Sequence, residues 1–162
     1  MSQTAMPLLR PAKREDVPLI IELIAGLAKF ERLSDQVRVQ PDLLEEHLFG
    51  KRPYAECVIA WAGEIAVGFA LYFHNYSTFA GLPGLYLEDL FVLPEYRGHG
   101  YGEALLRHLA RTAVERGCAR FEWSVLDWNQ RAIDFYRRLG AKPLDEWTVF
   151  RVSGDALVRL AG

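Results

Sequence analysis

Apolar residues recur with two different periods along the chain, and the period predicts which segments are helices and which are strands. From Glu15 towards Phe30 they return every three or four positions, which is typical of a helix with one buried face. Pro41 suits the first position of a second, short helix that ends before Gly50. Two apolar runs, Tyr54 to Trp61 and Ile65 to Tyr72, are separated by three turn residues and predict an antiparallel hairpin.

The second half of the chain alternates strands with helices. The stretch from Tyr86 to Leu93 is apolar at nearly every position, as expected for a strand buried on both faces. Three glycines follow it, and then comes a helix with apolar residues on one face that ends at Gly117. The remaining pattern predicts a strand at Leu8 to Arg10, a loop at Asn75 to Gly84, a strand at Arg120 to Leu126, a helix capped by Asn129, a strand at Trp147 to Val152 and a tail helix at Asp155 to Leu160.

The order of these elements, β-α-α-β-β-β-α-β-α-β, indicates an α/β fold. It predicts a mixed sheet with helices on both faces and a βαβ unit in the second half. The chain has 162 residues and shows no internal repeat or linker, so we expect a single domain over residues 1–162.

Composition excludes several classes of function. The net charge is −2 and the basic residues are scattered, so we expect no nucleic-acid partner. No apolar stretch is long enough to span a membrane and the N-terminus lacks the apolar region of a signal peptide, so we expect no membrane partner and a cytoplasmic protein. Cys57 and Cys118 are isolated in apolar surroundings, which predicts reduced thiols and no metal site.

The stretch Tyr86 to Gly102, which reads YLEDLFVLPEYRGHGYG, carries the chemistry. A strand that delivers a glycine-rich turn to a helix N-terminus can bind an anion, because free backbone N–H groups and the helix dipole both favour negative charge there. The alternative is a tight connection that binds nothing. A P-loop is excluded because Glu103 and Ala104 stand where Lys and Ser or Thr are required. A dinucleotide fingerprint is excluded because Leu105 stands where its third glycine is required.

Arg97-x-x-Gly100-x-Gly102 after an apolar strand resembles the acetyl-coenzyme A signature of the GNAT N-acetyltransferase superfamily. The blocks KFERLSDQV, YSTF and LDWNQRAIDFYRRLGA also resemble its spermidine/spermine acetyltransferase branch, above all the thialysine-acetylating members. This resemblance implies a central, mostly antiparallel mixed sheet, acetyl-CoA as co-substrate, a small amine as substrate, and a homodimer.

The resemblance also implies a donor site. Backbone amides of the glycine turn would bind the pyrophosphate of acetyl-CoA, and the strand edge at Leu90 to Val92 would pair with its pantetheine arm. Asn129 would reach the thioester end of the donor, or else it only caps its helix. The implied donor-binding residues are Leu90, Phe91, Val92, Arg97, Gly98, His99, Gly100, Tyr101, Gly102, Glu103, Asn129, Arg131 and Ala132.

Acetyl transfer to an amine also needs the amine in its uncharged form, and a carboxylate can serve as the base that provides it. An alkylammonium group with a pKa near 10.4 is only about one part in a thousand free base at neutral pH, so a carboxylate must draw off its proton. Glu88 and Asp89 are adjacent on a strand, which places their side chains on opposite faces if alternation holds. The family pattern favours Glu88 as the base, acting through water, with Asp89 helping to bind the substrate. The alternative is a structural ion pair with an arginine.

The family pattern assigns the remaining roles. The attack of the amine on the thioester forms a tetrahedral intermediate, and Tyr136 would protonate the thiolate that leaves when this intermediate collapses. The alternative is that Tyr136 is a core residue, as a tyrosine on an apolar helical face usually is. Phe30 and Glu31, at the end of the first helix, and Glu146 are the implied amine contacts. Polyamine-acetylating enzymes carry a tyrosine where this chain has Phe30, which favours the thialysine-like branch over polyamines. Two further alternatives are an acetyltransferase of protein N-termini or lysines and a non-catalytic acyl-CoA sensor.

Overall fold

The structure is a computed structural model that describes residues 7–162, and these residues form two compact units. The first unit ends at Ser124 and the second comprises Val125–Gly162. Within the described residues the strands and helices are β1 (Leu8–Pro11), α1 (Val17–Phe30), α2 (Pro41–Phe49), β2 (Glu56–Ala62), β3 (Ile65–Ser77), β4 (Leu82–Val92), α3 (Tyr101–Glu115), β5 (Phe121–Trp123), α4 (Gln130–Arg138) and α5 (Gly154–Ala161).

The first unit is built on one mixed sheet. Its strands lie in the order β1-β2-β3-β4-β5, and every neighbouring pair is antiparallel except β4 and β5. The parallel pair is joined through α3, which makes a βαβ unit. The predicted mixed, mostly antiparallel sheet is therefore confirmed.

Helices α1 and α3 cover opposite faces of this sheet. On one face, Phe91 of β4 packs so closely on α1 that a Cβ atom at Gly26 would lie 2.8 Å from the Phe91 ring. On the other face, a Cβ atom at Gly102 of α3 would lie 3.9 Å from Leu90. Leu90 and Phe91 are neighbours on a strand, and successive side chains point to opposite faces. The expected α/β arrangement with helices on both faces is confirmed.

Each helix contributes an apolar face to the core, as its sequence period predicts. Ile20, Leu23 and Leu27 of α1 pack with Ile59 and Phe69 of the sheet. The buried residues of α3 are Leu105, Leu106, Leu109 and Ala113. The helix ends at Glu115 with Arg116 as its C-cap, and Gly117 follows with a φ of 69°, the left-handed conformation that glycine adopts without steric cost.

The prediction of a loop from Asn75 to Gly84 is wrong. Strand β3 continues to Ser77 and β4 begins at Leu82, with Asn75 opposite Gly84 and only residues 78–81 left for the turn. Backbone pairing across the hairpin outweighs the polar and glycine-rich composition that indicated a loop. The preceding hairpin begins at Glu56 rather than Tyr54, because the Tyr54 amide donates to the His47 carbonyl oxygen of α2 at 2.8 Å.

Two predicted strands differ from the structure. The strand predicted at Arg120 to Leu126 is shorter in the structure. It forms β5 over Phe121–Trp123 only, where it pairs with Leu85–Leu87 of β4. The strand predicted at Trp147 to Val152 is wrong, since residues 147–152 have no regular secondary structure. A strand requires a hydrogen-bonded neighbour, and those residues have none in the described part of the chain.

The second unit begins at Val125 and carries α4 and α5. Asn129 caps α4 as predicted, because its Oδ1 atom accepts a hydrogen bond from the Ala132 amide at 3.2 Å. The tail helix extends one residue beyond each predicted end, as α5. Among residues 7–162, none of the helices combines the length and the apolarity needed to cross a bilayer.

Candidate active site

A β-bulge in β4 marks the candidate active site. Asp89 lies opposite Leu71 of β3 and Leu87 lies opposite Tyr72, so Glu88 is the extra residue between two paired positions. A bulge interrupts the alternation of side chains along a strand. Alternation alone therefore does not fix the faces to which Glu88 and Asp89 point, and their placement on opposite faces stays a prediction. Bulges commonly redirect side chains at active sites, and here two carboxylates stand at one.

The electrostatics of the bulge distinguish its two carboxylates. The Glu88 side chain is exposed, whereas Asp89 is half-buried. Desolvation by burial, followed by the charges of Glu88 and Glu31, raises the pKa of Asp89 to about 6. Burial likewise raises the pKa of Glu31, the C-cap residue of α1. Three carboxylates predicted as substrate contacts are thus brought together within electrostatic range, with no arginine among the causes that shift the Asp89 pKa.

The glycine turn presents the amides of a helix N-terminus. Gly98 and Gly100 adopt φ values of 81° and 86°, and a Cβ atom at either position would meet open space. Gly100 precedes α3 and no side chain caps the helix. The first helical hydrogen bond runs from the Ala104 amide to the Gly100 carbonyl oxygen at 2.9 Å. The amides of the first helical residues therefore point out of the helix, which is the arrangement that binds anions.

The charged and aromatic residues of the turn are held by local contacts. The Glu103 carboxylate pairs with Arg107 at 2.7 Å, which offsets its negative charge near the helix N-terminus. His99 donates from Nδ1 to the Arg97 carbonyl oxygen at 3.0 Å. The ring of Tyr101 lies edge-on to Tyr96, with 6.2 Å between their centroids.

One edge of β4 has no strand partner next to the bulge. On one side β4 pairs with β3 as far as Val92, but on the other side its pairing with β5 stops at Leu87 in the part of the chain that the structure describes. The segment from Glu88 to Val92 therefore has one edge without a strand partner. Such an edge can pair with an extended, amide-bearing ligand.

Phe30 and Arg97 are brought together although 67 positions separate them. The Arg97 guanidinium carbon lies 4.4 Å from the centroid of the Phe30 ring and 5.4 Å from that of Phe91. Its Nε atom donates to the Val92 carbonyl oxygen at 2.9 Å. The sequence placed Phe30 at the amine and Arg97 at the donor, and it carried no signal that the two side chains touch.

The remaining predicted site residues belong to the second unit. Arg131, Ala132 and Tyr136 lie on α4, whose first turn is capped by Asn129. The Tyr136 ring packs beside Phe135, with 5.6 Å between centroids. Glu146 is exposed and lies in a turn directly before residues 147–152, which have no regular secondary structure.

Comparison with known proteins identifies the family. The pattern of the acetyltransferase (GNAT) family matches residues 22–141, which is most of the chain. The chain belongs to the GNAT family. The match includes the β4 bulge, the glycine turn and α4, so the predicted family resemblance is confirmed. GNAT acetyltransferases use acetyl-CoA as co-substrate, and this GNAT protein is an N-acetyltransferase.

Relatives and solved structures agree with this assignment. The chain is 41% identical to the thialysine N-epsilon-acetyltransferase of Sus scrofa, over 98% of this chain and 99% of that one. It is 32% identical to the L-ornithine N5-acetyltransferase of Arabidopsis thaliana, over 92% and 85%. An integron cassette protein of V. cholerae superposes with a TM-score of 0.78 at 26% identity, over 96% and 97%. A ribosomal-protein-alanine N-acetyltransferase of Brucella melitensis, at 22% identity over 91% and 99%, has a TM-score of 0.73 and supports the fold alone.

Proposed function

We propose that this GNAT enzyme transfers acetyl from acetyl-CoA to the primary amine of a small cationic substrate. A thialysine or lysine-like amine is preferred, with diamines and polyamines next. The observation that carries the proposal is the group of three carboxylates, Glu31, Glu88 and Asp89, beside the unpaired edge of β4. A concentration of negative charge next to the donor strand suits an alkylammonium group.

The acetyl donor is proposed to bind along β4 and at the start of α3. The amides of the glycine turn and of Tyr101, Gly102 and Glu103 would bind its pyrophosphate. The unpaired edge at Leu90 to Val92 would pair with the amides of its pantetheine arm. When bound, the donor supplies a thioester carbonyl for attack. The open space at Gly98 and Gly100 accommodates this use of the turn, because no side chain fills it.

The amine is proposed to lose a proton at the bulge before it attacks. Glu88, the exposed carboxylate, would accept that proton through water, while Asp89 and Glu31 hold the cation. The amine nitrogen would then form a bond to the carbonyl carbon, and the carbon–sulfur bond would break. Tyr136 would give its phenolic proton to the thiolate, and the second proton of the nitrogen would restore the phenol by way of water. These roles, and those proposed for Asn129, Arg131, Ala132 and Glu146, follow from the family resemblance.

Products formed from a panel of amines test the substrate class. Thialysine, lysine, diaminopropane, spermidine and a test peptide are incubated with acetyl-CoA, and mass spectrometry identifies what is acetylated. We expect the fastest transfer to thialysine or lysine. Exclusive acetylation of the peptide would refute the small-amine proposal and favour an N-terminal or lysine acetyltransferase of proteins.

Replacement of the proposed base and acid tests the mechanism. Glu88→Gln and Tyr136→Phe should each lower the rate at saturating substrate, by roughly 10² or more for a general acid or base. Glu64→Gln, an exposed carboxylate in the β2–β3 turn, is the matched control. Unchanged rates in both variants would rule out the assigned roles. The relatives' names as acetyltransferases do not favour a non-catalytic sensor.

We also propose a cytoplasmic homodimer on the basis of the family resemblance. Light scattering should give a mass near twice that of the chain, which is 18.5 kDa. A monomer mass at micromolar concentration would refute the dimer.

A further inference from the structure

The arginine of the glycine motif is engaged by two aromatic rings. Its guanidinium carbon lies 4.4 Å from the Phe30 ring centroid and 5.4 Å from that of Phe91, and its Nε atom donates to the Val92 carbonyl oxygen at 2.9 Å. We call Phe30, Arg97 and Phe91 the aromatic clamp. A planar cation over aromatic faces is an attractive arrangement, and a guanidinium group can stack and donate a directed hydrogen bond at the same time.

The clamp depends on the close approach of α1 to β4. Gly26 and Phe30 are one helical turn apart, so they lie on the same face of α1. Because Gly26 has no Cβ atom, the helix can pack directly against the Phe91 ring, at a spacing where a Cβ would lie 2.8 Å away. That approach brings Phe30 within reach of Arg97, at the start of the glycine turn.

The clamp joins the two ends of the proposed active site. Phe30 immediately precedes Glu31, whose pKa is raised by burial and whose charge reaches Asp89. Arg97 immediately precedes Gly98, the first glycine of the turn. A shift of the glycine turn would therefore move the Arg97 guanidinium group. That group contacts the ring of Phe30, the last residue of α1.

We infer that Phe30 and Arg97 are positioning residues that couple donor binding to amine binding. This inference rests on the proposed function, since it deepens the roles of the same site. A donor that orders the glycine turn fixes Arg97, which fixes Phe30 and with it Glu31. Linkage then requires that each substrate raise the affinity for the other by the same factor. Phe30 acts through Arg97 rather than as a contact of the amine.

Calorimetry on the full chain measures this coupling without turnover. CoA, which lacks the acetyl group, is titrated into the enzyme with and without saturating thialysine, and the ratio of the two dissociation constants is the coupling factor. In the unmodified protein we expect CoA to bind about fivefold or more tightly in the presence of the amine, as typical couplings are of that size. A ratio of one in an active enzyme overturns the inference without any variant.

Variants of the clamp locate the coupling. Phe30→Leu and Arg97→Lys should each weaken both ligands and bring the ratio close to one, and the double variant should do no more than either alone. Phe30→Tyr keeps the ring and should keep the coupling. Arg111→Lys, an exposed arginine of α3 outside the clamp, is the matched control and should leave the ratio unchanged.

Three outcomes overturn the inference in distinguishable ways. If Phe30→Leu weakens only the amine, Phe30 is a plain substrate contact. If Arg97→Lys weakens only CoA, Arg97 is a plain phosphate contact. If the unmodified protein neither binds CoA nor acetylates any amine, the proposed function fails and the coupling fails with it. Thermal unfolding of the four proteins of the Phe30→Leu, Arg97→Lys cycle, without ligands, confirms that all are folded and that the two side chains interact.

Discussion

Asp89→Asn should make the protein more stable at neutral pH and less active. Asp89 is half-buried, has no cation among the causes that shift its pKa, and has a pKa raised from an ordinary value of 3.8 to about 6. A residue held in an unfavourable state at an active site trades stability for chemistry. The neutral amide has a similar shape and does not carry the charge whose burial is costly.

The size and sign of the effect follow from linkage. The folded protein holds the Asp89 proton more tightly than the unfolded chain, so the protonated form of Asp89 contributes to the free energy of unfolding. This contribution is fully present below pH 4 and is lost as the pH rises from about 4 to about 6. A rise from 3.8 to about 6 corresponds to about 3 kcal/mol as an upper value. Because Asp89 retains some solvent contact, we expect Asp89→Asn to add roughly 1–3 kcal/mol at pH 7.5 and about a third of that at pH 4.5.

Urea unfolding from pH 4.5 to pH 8 measures this difference, with Glu64→Gln as the control for loss of an exposed carboxylate. In parallel, kcat/KM for the amine should decline in the unmodified enzyme below pH 6, as Asp89 becomes neutral, and Asp89→Asn should be slow at every pH. A variant that is less stable at pH 7.5, or a stability difference that does not change with pH, would refute the reasoning.

Three other substitutions test separate parts of the structure. Gly26→Ala should lower the free energy of unfolding in urea by about 1–2 kcal/mol, because overpacking against Phe91 outweighs the gain of about 1 kcal/mol in helix propensity. A stabilised variant would contradict the close approach of α1 to β4. Gly100→Ala should cost only about 1 kcal/mol of stability, from its positive φ, but weaken CoA binding about tenfold by calorimetry; equal affinity would exclude the turn as the anion site. For Tyr136→Phe we expect a lower kcat with little change in melting temperature, whereas Tyr54→Phe, on an exposed tyrosine, should change neither.

Local sequence was sufficient for the helices and for the glycine turn. The period of apolar residues located α1 and α3, and their ends follow from short-range chemistry: Gly117 ends α3, and Asn129 caps α4. The glycine turn was readable for the same reason, because its positive φ values and free amides depend on neighbouring residues alone. The βαβ unit and the mixed sheet followed from the order of the elements.

Tertiary structure decided what depends on pairing between distant segments. The bulge at Glu88 exists only in the register of β4 against β3, so alternation read from β4 alone is not sufficient to place its two carboxylates. The same pairing turned the expected loop at Asn75 to Gly84 into two strand ends, and the apolar residues of 147–152 form no strand without a neighbour. The contact between Phe30 and Arg97 cannot be predicted from the local sequence around either residue, because the two side chains meet only when α1 packs on β4.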